Sequence, residues 1–197
     1  MNNRMIARAP ENCDAALIEE IVNTERVSPL TARALIRRGV SSAEEAKRFL
    51  RPSELSMHDP YLLPDMAEAV ARIRKALENG EKICVYGDYD ADGVCATAML
   101  AKRFKTMGAD VEFYIPLRHT EGYGMSVAAV KKLHARGVKL IVTVDNGVSA
   151  FDEIALCGAL GIDVVVTDHH SVGKIVPECT AVVAASRKDS GYPNHYL

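Results

Sequence analysis

Three observations predict an α/β protein: a parallel sheet flanked by helices, preceded by a small helical N-terminal segment. From residue 65 onward, strand-length apolar runs alternate with amphipathic helical stretches. Three of the four runs end in aspartate-bearing polar residues, and residues 1–64 carry helical periodicity without strand-like runs. Parallel neighbours can be joined only through a crossover, which is usually a helix and almost always right-handed, so the alternation predicts a parallel sheet covered by helices.

The elements follow in chain order. Apolar residues recur at helical spacing in Ala15-Ala-Leu-Ile-Glu-Glu-Ile-Val22 and in Leu30-Thr-Ala-Arg-Ala-Leu-Ile36, and Gly39 is a helix stop. Ser41-Ser-Ala-Glu-Glu45 resembles a capping box and restarts a helix that ends near Arg51-Pro52. Residues 53–64, with Pro60 and Pro64, read as an ordered connector, which gives a domain division of 1–64 and 65–197. Met66–Leu77 is an amphipathic helix stopped at Asn79-Gly80. Strands are then expected at Ile83–Tyr86, Val111–Ile115, Leu140–Val144 and Val164–Thr167, with helices at Val94–Lys105, Ser126–Ala135 and Ala150–Leu160 between them.

The first strand leads into Tyr86-Gly-Asp-Tyr-Asp-Ala-Asp-Gly93, which sets Asp88, Asp90 and Asp92 at alternating positions. Three carboxylates so close repel unless a cation lies among them, and aspartate oxygens suit hard divalent ions such as Mg²⁺ and Mn²⁺. Gly93 is expected to let the backbone turn from strand to helix. The same spacing opens an EF-hand loop, but the bidentate Glu that loop needs at its twelfth position is Met99 here, and a strand rather than a helix precedes it. A solvated acidic turn is the other reading of this segment taken alone.

The later strands weigh against that turn. Val142-Thr-Val-Asp145-Asn-Gly147 and Val164-Val-Val-Thr-Asp168-His-His170 repeat the arrangement of a buried run whose polar residues emerge at its carboxyl end. In an open parallel sheet these ends share one edge, the edge where ligands bind. Asp90, Asp92, Asp145, Asp168, His169 and His170 are therefore expected to converge on a metal site.

Composition excludes several classes. A formal charge of −2 gives no global signature of nucleic-acid binding, so such a partner must be held locally. Cys13, Cys84, Cys95, Cys157 and Cys179 are odd in number and contain no C-x-x-C pair, which argues against a disulfide framework or a zinc ribbon. No apolar run approaches the roughly 18 residues of a membrane span, and the polar start Met1-Asn-Asn-Arg-Met5 does not read as a secretory signal. A cytoplasmic location is expected.

Asp168-His169-His170 and the two upstream aspartate motifs resemble the signatures of the DHH phosphoesterase superfamily. Within it, Pro116-Leu-Arg-His-Thr-Glu-Gly-Tyr-Gly-Met-Ser126 resembles a segment typical of the RecJ branch of single-strand-specific exonucleases. Ser28-Pro-Leu-Thr-Ala-Arg33 and Ala46-Lys-Arg-Phe-Leu-Arg-Pro52 are similar to the N-terminal part of that branch. The resemblance implies two divalent ions, Mn²⁺ or Mg²⁺. Asp90 and Asp92 would be ligands of separate ions, Asp145 a bridging carboxylate and His169 a further ligand. It makes Asp88 and Asp168 supporting polar residues and turns His170 towards the scissile phosphate. Arg118 and Tyr123 are candidate substrate contacts, the first for phosphate and the second for a base. The implied reaction is 5′-to-3′ hydrolysis of single-stranded DNA in repair and recombination, with other DNA-repair proteins as partners.

Two departures accompany the resemblance. The chain stops before a fourth motif that supplies another metal-binding Asp in this branch, and Asp189 does not take its place, so a second metal site that is incomplete is expected. Ala184-Ala185 stands where the branch usually has Asn-Pro. A phosphodiesterase acting on short oligonucleotides or nucleotide dinucleotides, and a non-catalytic metal-binding domain, are the alternative readings.

Overall fold

The structure is a computed structural model and describes residues 14–52 and 57–194. Its contacts divide the chain into two units, one ending at Met57 and one beginning at His58. Cys13 and part of the expected connector lie outside the described residues.

Among the described residues the first unit holds three helices, α1 (Ala15–Glu25), α2 (Pro29–Arg37) and α3 (Ala43–Leu50). Each starts at a side-chain cap, Asp14, Ser28 and Ser42 respectively, which accepts a hydrogen bond from a backbone N–H that the helix itself cannot pair. The Glu45 carboxylate reaches back to Ser41 N at 2.7 Å, completing a variant of the expected capping box. Ile21, Ala32, Leu35 and Ala46 form the unit's small core.

The second unit begins with a short 3-10 turn, Pro60–Leu62, and α4 (Met66–Glu78). There follow β1 (Ile83–Tyr86), α5 (Ala91–Thr106), β2 (Val111–Tyr114), α6 (Val127–Ala135), β3 (Leu140–Val144), α7 (Phe151–Ala159), β4 (Asp163–Thr167) and β5 (Ala181–Val183). The five strands form one parallel sheet in the order β2-β1-β3-β4-β5. Residues of one parity, including Cys84, Tyr86, Ile141, Val164 and Val166, pack with α6 and α7 residues such as Leu133 and Ile154. Those of the other parity, including Val85, Val142 and Val165, pack with Ala69 and Ala76 of α4 and Phe104 of α5. This is the period-2 alternation of a strand buried on both faces, and it makes a three-layer sandwich.

Two features differ from expectation. β5 was not foreseen: it is three residues long, pairs with β4 at the edge of the described sheet, and offers too few residues for a period to be read. Helix α5 starts at Ala91 rather than Val94, because the Asp90 carboxylate caps it by accepting from Gly93 N at 2.9 Å. Gly93 is thus not the strand-to-helix turn. It is a buried first-turn residue at which a Cβ would stand 2.6–2.7 Å from the backbone of Asp88, so close approach of the helix to the Asp88 loop is what requires glycine.

Strand order reverses between β1 and β3. From β1 the chain moves to β2 on one side and then returns to β3 on the other, which opens a crevice at the carboxyl ends of β1 and β3.

Candidate metal centre

The residues that follow β1, β3 and β4 meet at that crevice. One group comprises Asp88, Asp90 and Asp145, another Asp145, His169 and His170, and within each group one ligand atom per residue lies within 4.8 Å of the others. Asp145 belongs to both. It has φ of 63°, a left-handed conformation that aspartate tolerates better than most residues. Its Oδ1 lies 2.8 Å from His169 Nε2 and 3.9 Å from His170 Nδ1.

The aspartates occupy distinct environments. Asp88 is buried, and one of its oxygens, Oδ1, has no hydrogen-bond partner among the described residues; the same holds for Asp145 Oδ2. Asp90 is exposed, and its bond from Gly93 N–H holds its carboxyl below the usual range. Burial, reinforced by the neighbouring Asp90 charge, raises Asp145. Asp92 lies in the first turn of α5 and lines a cleft of about 460 Å³ with Asp145, Asp168 and His169, but it stands outside both close groups. The rest of the cleft lining is largely apolar, with residues such as Met66, Val144 and Val183.

Asp168 differs because the protein already satisfies its carboxylate. Oδ2 accepts from Val148 N at 3.1 Å, and Oδ1 accepts from His170 N at 3.1 Å and lies 2.7 Å from His170 Nδ1. That hydrogen bond is the first cause of a raised His170 pKa. Alternation along a strand predicts that His169 and His170 diverge, yet both rings reach Asp145, with their centroids 4.8 Å apart. β4 ends at Thr167 and the chain bends at His170, so strand periodicity no longer governs these residues.

The segment after β2 folds over the same edge. Gly122 and Gly124 take φ of 80° and 72°, and Tyr86 OH donates to Gly124 O at 3.0 Å. Glu121 accepts from Tyr114 OH and from Leu117 N. Tyr123 OH comes within 3.2 Å of His170 Nε2, and its pKa is pushed up to about 12 by burial and then by the surrounding aspartates. The Arg118 guanidinium lies over the Tyr89 ring at 5.2 Å, and Tyr89 meets Tyr123 edge-on at 6.4 Å. Both expected substrate-contact residues are therefore beside the acidic cluster. Tyr89, Asn146 and Thr143 are site neighbours that sequence reasoning did not single out. Of these, Tyr89 was signalled by its place between two motif aspartates.

The donor set fits a hard divalent cation. Asp88 and Asp145 each carry a buried carboxylate oxygen without a partner among the described residues and belong to one close group of carboxylates, an arrangement that leaves polar groups unsatisfied unless a positive ion completes it. The carboxylate oxygens of this set suit Mn²⁺ and Mg²⁺.

The fold and this site define a protein of the DHH family, to which the chain belongs: the family's N-terminal domain matches residues 82–192. The chain is 38% identical over 180 residues to the single-stranded-DNA-specific exonuclease RecJ of Bacillus subtilis, and 36% identical over 170 residues to that of Escherichia coli. These alignments cover 91% and 86% of this chain but 23% and 29% of those relatives, so the chain spans about a quarter of their length. Among solved structures, RecJ from Thermus thermophilus in complex with Mn²⁺ matches 91% of this chain and 24% of that one, with a TM-score of 0.70 and 32% identity. A second, exonuclease RecJ bound to manganese, matches 64% of this chain and 32% of that one, with a TM-score of 0.60 and 39% identity. Among the described residues no helix is long and apolar enough to cross a membrane.

Proposed function

We propose that this chain carries the metal-binding part of a RecJ-type exonuclease, which hydrolyses single-stranded DNA from its 5′ end with Mn²⁺ or Mg²⁺. The observation that carries this reading is Asp145, whose carboxylate belongs at once to an aspartate group and a histidine group at the sheet's reversal point. Asp90, Asp92, Asp145 and His169 are the proposed metal ligands, with Asp145 shared. Divalent ions at such a centre neutralise phosphoryl charge and acidify water for attack on phosphorus.

The remaining roles are positional. Asp88 adds negative charge beneath the centre. Asp168 orients His170 by holding a proton at Nδ1, which leaves Nε2 to face the scissile phosphate beside Tyr123. Arg118 is proposed to pair a backbone phosphate, and Tyr123, half-exposed, to stack against a base. The helical segment to residue 64 is proposed as a separate domain from the phosphoesterase domain beginning at 65. A cytoplasmic location, with other DNA-repair proteins as neighbours, goes with this activity, and unpaired Cys84, Cys95, Cys157 and Cys179 accord with a reducing compartment.

The test is release of 5′-labelled mononucleotides from long single strands, set against dinucleotide cleavage, with Mn²⁺ or with chelator. Metal-dependent shortening from the labelled end supports the proposal. Cleavage of dinucleotides alone, or a chain that binds neither Mn²⁺ nor single-stranded DNA, refutes it.

A further inference from the structure

The metal ligands come from three separate strand ends, and strand ends fray unless something ties them together. A continuous hydrogen-bonded chain does so here. The Asn146 amide is buried and donates through Nδ2 to Tyr86 O, the last residue of β1, at 3.2 Å, and to Val144 O, the last residue of β3, at 3.0 Å. Two carbonyl acceptors on that side fix which way the amide points, since only the nitrogen can donate. The backbone carbonyl of Asn146 in turn accepts from Thr143 Oγ1 at 2.7 Å. Thr143 Oγ1 accepts from Thr167 N, the last residue of β4, at 3.3 Å, and Thr167 Oγ1 donates back to Thr143 O at 2.6 Å. Thr143 is fully buried.

These bonds are placed where they matter for the cluster. Tyr86 is two residues before Asp88, Asn146 directly follows Asp145, and Thr167 directly precedes Asp168. The Asn146 carbonyl is pulled back towards Thr143, which closes a tight loop around Asp145 and keeps it at φ of 63°. Gly147 completes the loop: at φ of 116° its missing Cβ would stand 2.8 Å from that same Thr143 Oγ1. The backbone pairing of β3 with β4 runs as far as Asp145, whose N–H donates to Thr167 O at 3.1 Å, and the side-chain bonds reinforce it there and tie in the end of β1.

We infer that Asn146 and Thr143 are positioning residues that buckle the ends of β1, β3 and β4 together and so set the distance between the two halves of the metal centre. The inference rests on the metal-binding reading above. Neither side chain is assigned as a ligand. They act through Asp145, Asp88 and the Asp168–His170 segment, as partners outside the ligand set commonly do, and loss of such a partner typically weakens metal affinity by about 10–100-fold.

The experiment is calorimetric Mn²⁺ titration of the wild-type chain and of Asn146→Ala, Thr143→Val and Thr143→Ser, with metal-free thermal unfolding of each. Thr143→Val keeps the shape and removes the hydroxyl, whereas Thr143→Ser keeps the hydroxyl. Ile141→Val, which trims the core of the same strand, is the control for stability alone. Asn146→Ala and Thr143→Val are expected to bind Mn²⁺ at least about tenfold more weakly, while Thr143→Ser and Ile141→Val bind within about twofold of wild type. Should Asn146→Ala not fold, the two Thr143 variants decide. Unchanged affinity in Thr143→Val, or an equal loss in Thr143→Ser or Ile141→Val, overturns the inference while leaving the metal site in place. A wild-type chain that binds no Mn²⁺ refutes the metal-binding reading and this inference with it.

Discussion

Replacing Asp145 by Asn should make the metal-free protein more stable while removing its response to metal. Ligand atoms of Asp88 and Asp145 lie within 4.8 Å of each other, and each residue has a buried oxygen without a partner. Two unit charges at that separation repel by about 3 kcal/mol at an effective dielectric near 20. Asparagine has the same shape, tolerates left-handed φ and keeps an acceptor for His169, so it removes the charge with little backbone strain. Loss of a charge-assisted contact to the histidines offsets part of the gain, roughly 1–2 kcal/mol, leaving a net stabilisation of about 1–2 kcal/mol. For a protein of this size that corresponds to a Tm about 2–8 °C higher. The assay is thermal unfolding followed by circular dichroism at pH 8, in chelator and in Mn²⁺. Wild type should gain about 2.7 kcal/mol at a Mn²⁺ concentration 100 times its Kd, and the variant little. A variant that melts below wild type in chelator and still rises normally with Mn²⁺ would refute the claim that these carboxylates are held together against their own repulsion.

Other outcomes follow from the same geometry. His169→Ala should lower Mn²⁺ affinity, whereas His170→Ala should retain Mn²⁺ and lose turnover of single-stranded DNA; titration and single-turnover assays separate the two, and the reverse pattern would exchange their roles. Arg118→Ala should weaken single-strand binding and flatten its dependence on salt, measured by fluorescence anisotropy across ionic strength; an unaltered slope would remove Arg118 from the phosphate contacts. Gly93→Ala would drive a Cβ to within 2.7 Å of Asp88 backbone atoms, so urea unfolding should show a loss of about 1–3 kcal/mol together with weaker Mn²⁺ binding. A Gly93→Ala variant as stable as wild type would mean that α5 can draw back from the Asp88 loop.

The sheet was legible where strands are buried on both faces. Ile83-Cys-Val-Tyr86 and Leu140-Ile-Val-Thr-Val144 are continuous runs bounded by polar residues, and the structure places β1 and β3 over those ranges. β5 was not legible, since three residues at a sheet edge carry no period and its pairing with β4 is a tertiary fact. The start of α5 was hidden because glycine disfavours a helix interior, while its cause, a helix packed against the Asp88 backbone, lies outside the local sequence. The convergence of the acidic strand ends could be foreseen, because parallel topology alone brings carboxyl ends to one edge. What could not be foreseen is how they are held. The bond from Asn146 to Tyr86 O spans 60 positions, and a polar residue between Asp and Gly reads in sequence as an ordinary turn residue. The left-handed conformation of Asp145 and the bend that brings both histidines to it likewise arise from tertiary contacts after the strands have ended.

The most direct test of the central claim, that Asp145 joins two ligand groups into one divalent-metal centre, is calorimetric titration of Mn²⁺ into the wild-type chain and Asp145→Asn. Saturable, chelator-reversible binding by wild type that is lost in the variant is the predicted result. Binding of equal strength in both, or none in wild type, would contradict it.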